Sequence, residues 1–193
     1  MILASQSRAR QTLLANAGIA FEAVPADIDE RAVQQASRLV APGDIAALLA
    51  REKALYVSMR QPGQFVVGAD QTLALGTRLF SKPAGRAQAA EQLRALAGRS
   101  HELHSAVAVA REGKILFEAT AIARMTMRRL DEAEIDAYLD EAGDAVTSSV
   151  GAYQLEGLGV HLFERIEGDH FTILGLPLLQ LLAYLRSERL LTV

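Results

Sequence analysis

Three groups of side chains in this sequence could take part in chemistry. The first is Ser5-x-Ser7-x-x-Arg10, where a short apolar run gives way to a helical pattern. Backbone N–H groups at a helix N-terminus attract anions, and nearby Ser and Arg can complete a phosphate site. The plainer alternative is an N-cap serine beside a solvated arginine. The second group joins Asp29-Glu30 with Asp70. Carboxylates in company suit a hard divalent cation, whose preferred ligands are oxygens. Asp70 leaves the apolar run Phe65–Ala69, and ligand sites of α/β sheets gather where strands end. The alternative is a turn carboxylate and solvated loop charges. The third group is Lys53 and Lys82. Of 20 basic residues only Lys53, Lys82 and Lys114 are lysines. A lysine kept in such a background suggests a place where a compact point charge works and a planar fork does not. Lys82 precedes Pro83, so its backbone is extended and its direction stiff. For a lone lysine, surface charge is the alternative.

Other chemistries lack their residues. There is no G-x-x-x-x-G-K-[ST] and no G-x-G-x-x-G run, so the phosphate-loop and dinucleotide fingerprints are missing. With no cysteine, disulfides, thiolate zinc sites and cysteine nucleophiles are excluded. His101 and His104 would face opposite sides of a strand, and His161 and His170 have no partner pattern, so no histidine metal site is expected.

Elements must hold these residues in place. Ile2–Ala4 is expected to be a first strand, Ser7–Ala17 a helix stopped by Gly18, and Phe21–Val24 a second strand ended by Pro25. Asp27–Glu30 is expected as an acidic loop. A helix from Asp44, as N-cap, to about Met59 precedes the Pro62-Gly63 turn and a buried strand over Phe65–Ala69. Arg86–Ala97 is a further helix closed by Gly98. His101–Ala110 and Ile115–Met127 form a hairpin around Arg111-Glu112-Gly113. Asp131–Asp140 is a short helix. Gly159–Ile166 and Phe171–Leu174 are expected strands, and Pro177 opens a C-terminal helix. Early alternation followed by hairpins gives an α/β class with a mixed sheet.

The 193 residues, 50% hydrophobic and 22% charged, make one folded domain over 1–193. A net charge of -3 and 5% aromatic content count against a nucleic-acid coat. A local cation cluster can still hold a small anion. No apolar run reaches the ~18 residues of a membrane span, and no signal peptide stands at the N-terminus, so no membrane partner is expected and the cytoplasm is the expected address. The Leu-rich C-terminal helix, expected over Leu178–Leu191, can supply either core or a homodimer interface.

Taken together, the chain resembles the Maf family of nucleoside triphosphate pyrophosphatases. The resemblance rests on Leu3-Ala4-Ser5-x-Ser7-x-x-Arg10, Asp29-Glu30, Lys53-Ala54, Gly68-Ala69-Asp70, Lys82-Pro83 and Leu96-x-Gly98-Arg99-Ser100-His101. It continues through Gly151-Ala152-Tyr153, Glu156-Gly157-Leu158-Gly159, Glu164-Arg165-Ile166-x-Gly168 and Gly175-Leu176-Pro177-Leu178. It implies a mixed twisted sheet with flanking helices, two lobes around a cleft, similar to inosine triphosphate pyrophosphatases. It implies hydrolysis of a nucleoside triphosphate to the monophosphate and pyrophosphate with Mg²⁺ or Mn²⁺. On this resemblance Asp70 is the general base and Ser5, Ser7, Arg10, Lys53 and Lys82 bind the substrate. Glu30 and Asp70 are its metal positions.

Some residues depart from the common family pattern. Ser7-Arg8-Ala9-Arg10 stands where many members have Ser-Pro-Arg-Arg. Gln71 replaces threonine after the aspartate, and Ser148-Ser149-Val150 replaces Asp-Lys-Ala. Glu156 replaces glutamine. The resemblance places Ala9, Gln71 and Glu156 at base-specificity positions. Gln71 and Glu156 match the branch similar to 7-methyl-GTP pyrophosphatases; members with Thr and Gln prefer dTTP and UTP. Ala9 lacks the bulky aromatic that the 7-methyl-GTP branch can carry. A carboxylate accepts from the adjacent N–H donors of guanine, which favours the first branch. A separate class, a non-catalytic nucleotide-binding regulator of septum formation, needs no base beside metal ligands.

Overall fold

The computed structural model describes residues 1–191. Its strands are β1 (Ile2–Leu3), β2 (Glu22–Ala23), β3 (Val66–Leu75), β4 (Arg78–Phe80), β5 (Ser100–Arg111), β6 (Lys114–Met127) and β7 (Phe163–Glu167). Its helices are α1 (Arg8–Asn16), α2 (Glu30–Ser37), α3 (Pro42–Ser58), α4 (Arg86–Leu96), α5 (Glu132–Ala142), α6 (His170–Ile173) and α7 (Leu178–Ser187). Short 3₁₀ turns lie at Gly143–Thr147, Val150–Ala152 and Leu158–Leu162. The class is mixed α/β, with parallel β1–β2 and β1–β3 pairs and antiparallel β3–β4 and β6–β7 pairs. Among the described residues, no helix is long and apolar enough to cross a membrane.

Backbone packing divides the chain into two compact units. The first holds residues 1–71, 104–122 and those from Asp169 onward; the second holds Thr72–Leu103 and Ala123–Gly168. Strands β3, β5 and β6 run from one unit into the other along the chain.

In the first unit β1 is the middle of a parallel trio, with Ile2 opposite Glu22 and Val66, and Leu3 opposite Ala23 and Val67. Both β1 residues are buried, as a strand covered on two faces requires. One face carries Leu3, Val67 and Ala69 into a cluster with Leu13, Leu14, Leu181 and Leu185 of α1 and α7. The other face meets α3. Ala46, Ala50 and Ala54 of that helix pack against Ala106, Ala108 and Ala110 of β5. Gly68 lies on this side, and a Cβ added there would stand 2.2 Å from the Ala50 carbonyl oxygen and 2.7 Å from the Ala54 nitrogen. A strand and a helix backbone therefore touch directly, which only glycine permits.

In the second unit the end of β3 pairs with β4, Leu73 opposite Phe80 and Leu75 opposite Arg78. The end of β6 pairs with β7, with a register shift between Thr126 and Met127. Helix α5 begins in a full capping box, Asp131 with Glu134, and Arg94 of α4 holds Glu132 by both carboxylate oxygens.

Several expected elements are present: the first strand, α1, the β5–β6 hairpin, α4 and α5. The hairpin turn is Glu112-Gly113, both at positive φ (52° and 72°), as a two-residue hairpin turn requires. Others differ. The acidic loop ends at Asp29, which caps a helix that Glu30 opens; no residue of α2 is buried, so the helix has no core-forming run of large apolar residues. Helix α3 starts at Pro42 with Ala41 as N-cap, leaving Asp44 in the first turn. Strand β3 does not end before Asp70 but continues to Leu75, with β4 pairing its far end. Gly159–Leu162 is part of a 3₁₀ turn, and the strand begins at Phe163. Phe171–Leu174 is not a strand: the Asp169 side chain accepts from the Thr172 N–H at 2.9 Å and starts α6. The C-terminal helix closes at Ser187 rather than continuing to Leu191.

Replacing Gly68 by Ala is expected to cost about 3 kcal/mol or more, the upper end of overpacking, because the obstacle is backbone and cannot rotate away. Urea unfolding of Gly68→Ala checks this; a loss within about 0.5 kcal/mol of zero would mean that α3 can shift freely.

Candidate active site

Asp70 shares its strand face with Gly68, two residues earlier, because side chains alternate along a strand. That face looks at α3, where Ala50, Lys53, Ala54 and Val57 form one buried stripe at helical spacing. Close approach of α3 over Gly68 thus brings Lys53 to Asp70. The Lys53 Nζ donates to Asp70 Oδ1 at 2.6 Å. It also pairs with Glu30 Oε1 at 2.8 Å, from the first residue of α2. Asp70 is 7% exposed and Lys53 8%, while the Glu30 side chain is half-exposed.

Arg10 completes the charged cluster of this unit. Its Nε donates to the Gly175 carbonyl at 2.7 Å and its Nη1 to Ser5 Oγ at 3.3 Å. Ser5 Oγ also accepts from the Ser7 N–H at 3.2 Å, and Ser7 caps α1 by accepting from the Arg10 N–H. A side chain on Gly175, which has φ of 91°, would crowd the guanidinium, its Cβ standing 3.2 Å from Arg10 Nη2. Burial pulls the Arg10 guanidinium below its ordinary pKa, and the charges of Asp70 and Glu30 pull it back up. Burial likewise raises the Asp70 carboxyl above the ordinary carboxylate value, against the lowering pull of Lys53 and Arg10. A buried carboxylate with a raised pKa, paired with Lys53 and lying in the field of Arg10, can accept a proton from water.

Gln71 follows Asp70 and turns its amide inward. Its Nε2 lies 2.9 Å from Ser105 Oγ, 3.1 Å from the Thr172 carbonyl and 3.0 Å from the Ile173 carbonyl. Ser105 Oγ donates to the same Thr172 carbonyl at 2.7 Å. The segment 169–175 is therefore tied to β3 by Gln71 and to α1 by Arg10.

The first unit thus brings together Ser5, Ser7, Arg10, Glu30, Lys53, Asp70 and Gln71, with Ala9 half-buried on α1. Lys82 and Glu156 belong to the second unit, both exposed. Lys82 follows Ser81, whose carbonyl accepts from Gln92 Nε2 at 2.8 Å. Glu156 follows a turn fixed by Gln92, Tyr138 and the His101–Tyr153 pair. Sequence reasoning had not singled out Gln92, whose one signal was a polar residue on an otherwise apolar helix face.

A family model described as Maf-like protein matches residues 1–188. The chain belongs to the Maf family. A nucleoside triphosphate pyrophosphatase of Bradyrhizobium diazoefficiens is 72% identical over 193 residues, covering 100% of this chain and 96% of that protein. A 7-methyl-GTP pyrophosphatase of Brucella abortus is 51% identical over 191 residues, covering 98% of this chain and 96% of its own length. Among solved structures, a HAM1 protein from Coxiella burnetii aligns with 67% of this Maf chain and 73% of its own, at 19% identity and a TM-score of 0.43.

The donor set of this Maf site has a defined capacity for metal. Among the described residues no group of three or more His, Cys, Asp and Glu stands ready for an ion. Asp70 and Glu30 are hard oxygen donors, but the ammonium of Lys53 bridges them. Two carboxylates suit an Mg²⁺ or Mn²⁺ that brings most of its shell as water and phosphate oxygen, rather than an all-protein cage.

Because the Asp70 pKa is raised, the folded chain binds that proton more tightly than the unfolded one. The group therefore takes stability away as pH rises from the ordinary carboxylate value through its raised value. Lys53→Met removes the main opposing charge. It is expected to cost about 3 kcal/mol or more near pH 7, and less at a pH close to the ordinary carboxylate value, where Asp70 takes up its proton. Urea unfolding at both pH values checks this; an equal deficit at both would show that Asp70 is not the group left unpaired.

Proposed function

We propose that this protein hydrolyses nucleoside triphosphates to the monophosphate and pyrophosphate, with Asp70 as general base. The observation that carries the reading is the buried Asp70–Lys53–Glu30 arrangement with Arg10 charge-coupled to it, in a chain whose 72% identical relative is named a nucleoside triphosphate pyrophosphatase. Water attacks the α-phosphorus, its proton passes to Asp70, and the bond from that phosphorus to the bridging oxygen breaks to release pyrophosphate. Lys53 holds Asp70 in place, so the base needs no reorganisation at the moment of reaction. Arg10 offers phosphate oxygens a planar fork, and the family resemblance assigns Lys82 to the substrate as a point charge. Ser5 and Ser7 orient Arg10 and the start of α1 toward the same anion. Asp70 and Glu30 would be the residues to hold a divalent cation, whose chemistry when bound would be to neutralise charge on the transferring group.

Within this class we favour 7-methyl-GTP over dTTP or UTP. Glu156 supplies an acceptor-only side chain, and a methylated guanine offers N–H donors and positive charge. The 51% identical Brucella relative named for that substrate supports the same direction.

Pyrophosphate release from a panel of canonical and methylated nucleoside triphosphates, with Mg²⁺ or Mn²⁺, tests both statements. Asp70→Asn is expected to lower kcat by about 10²–10⁴-fold. The acid limb of kcat/KM should lie above the ordinary carboxylate range, as burial of Asp70 dictates. Near-wild-type turnover by Asp70→Asn would overturn the mechanism. Glu156→Gln is expected to shift preference from 7-methyl-GTP toward dTTP and UTP by about tenfold, the scale of one hydrogen bond to a charged group. An unchanged ranking would remove Glu156 from base selection and leave the hydrolysis intact.

A further inference from the structure

Helix α4 buries Ala89, Ala90, Leu93 and Leu96, and in the middle of that face it also buries Gln92, which is 5% exposed. A polar side chain on an apolar face costs stability unless both ends of its amide are used. Here both are. Gln92 Nε2 donates to the Ser81 carbonyl at 2.8 Å, and Gln92 Oε1 accepts from the Gly151 N–H at 3.0 Å. The two backbone groups come from loops that are 70 positions apart in the chain.

Each loop carries one of the exposed residues assigned to the substrate. Ser81 stands directly before Lys82, and Lys82 is stiffened by the buried Pro83 that follows it. Fixing the Ser81 carbonyl therefore fixes the direction from which Lys82 departs. Gly151 opens the turn that leads to Glu156. Gly151 and Ala152 are both left-handed, with φ of 80° and 62°. For alanine this conformation is strained and persists only if the surroundings hold it. The holders are Gln92 on the Gly151 N–H, and Tyr138, whose hydroxyl donates to the Ala152 carbonyl at 3.1 Å. A third is His101, whose Nε2 lies 2.7 Å from the Tyr153 hydroxyl. A side chain at Gly151 would meet Leu73 Cδ1 at 2.6 Å, so the turn has no room to shift.

We propose that Gln92 is a positioning residue for the nucleotide: one buried amide ties the Lys82 segment to the Gly151–Glu156 turn and presents both to the substrate as a unit. The inference rests on the proposed hydrolysis of a nucleoside triphosphate. A leucine or methionine would fill the same space on α4 without an amide to satisfy. The amide serves two loops and nothing else in the helix.

The test is a comparison of Lys82→Ala, Gln92→Met, Gln92→Glu and the double variant Lys82→Ala/Gln92→Met in the full chain. KM and kcat for the preferred nucleotide are read well below each variant's melting temperature. Gln92→Met is expected to raise KM about tenfold with kcat changed less than about threefold, the signature of lost ground-state and transition-state binding in equal measure. The double variant is expected to raise KM by clearly less than the product of the two single effects, because part of the Gln92 effect passes through a lysine no longer present and only the part through the Gly151–Glu156 turn remains. Gln92→Glu keeps an acceptor for the Gly151 N–H but loses the donor to Ser81, so it should raise KM as Gln92→Met does; it carries the comparison if the methionine variant fails to fold. A lowered melting temperature with unchanged KM would make Gln92 a packing residue and overturn the proposal, as would additive effects of the two substitutions. No pyrophosphate release by the wild-type protein from any nucleotide would instead overturn the function on which it stands.

Discussion

Lys53 Nζ lies 2.6 Å from Asp70 and 2.8 Å from Glu30, and the candidate site has its form because of that ammonium. Asp70 is buried. A lone carboxylate in that position would give up its charge rather than bear the loss of hydration. A single cation between two carboxylates answers both at once, and it must be compact. A planar guanidinium binds one carboxylate side-on and would hold the pair further apart. The chain uses arginine for 17 of its 20 basic residues, yet a lysine stands at this point.

The lysine reaches the aspartate only because the backbones beneath them touch. Gly68 has no side chain, Ala50 and Ala54 have the smallest, and Ala106, Ala108 and Ala110 extend that small-residue layer along β5. On the opposite face of the same strands the residues are large: Leu13, Leu14, Leu181 and Leu185. The sheet of this unit is thus packed asymmetrically, with bulk on one side supplying burial and thinness on the other supplying reach. Any increase in volume on the thin side moves Lys53 away from Asp70 along with α3.

This division also explains what could be read from the sequence and what could not. Elements with an apolar period or a punctuating Gly or Pro were legible: α1 with Gly18, the β5–β6 hairpin with Glu112-Gly113, α4 with Gly98. Helix α2 is short and buries nothing, α6 is four residues long, and β4 is three, so none stands out as a core-forming segment. Strand β3 was read as ending where its polar residues begin, but Asp70, Gln71 and Thr72 stay in the strand. Side chains of several elements satisfy Asp70 and Gln71, and tertiary partners do not show in a local pattern. The cluster of Ser5, Arg10, Glu30, Lys53 and Asp70 was visible as residue types, and the resemblance to the family gave the roles. What could not be read was who touches whom. Gln71 stood out as a position that differs among family members, but its amide nitrogen is directed at Ser105, Thr172 and Ile173. Gln92 drew no notice at all, because a single glutamine among alanines and leucines looks like an ordinary helix residue until both ends of its amide are followed.

Charge arithmetic within the first unit links the geometry to the proposed reaction. Arg10 and Lys53 carry two positive charges, and Glu30 and Asp70 carry two negative ones once Asp70 is ionised. The cluster is then close to neutral and offers a triphosphate no net attraction of its own. A neutral, preformed cluster avoids the repulsion that two adjacent buried cations would suffer in the free protein, and it leaves the base correctly placed. The cost is that charge for the phosphates has to arrive with the substrate. On the proposed function a divalent cation travelling with the nucleotide meets that need, since it brings two positive charges and asks the protein for only one or two carboxylate oxygens. The bridging lysine is what keeps the cluster close to neutral, and that balance lets Asp70 stay buried beside Glu30 in the free protein.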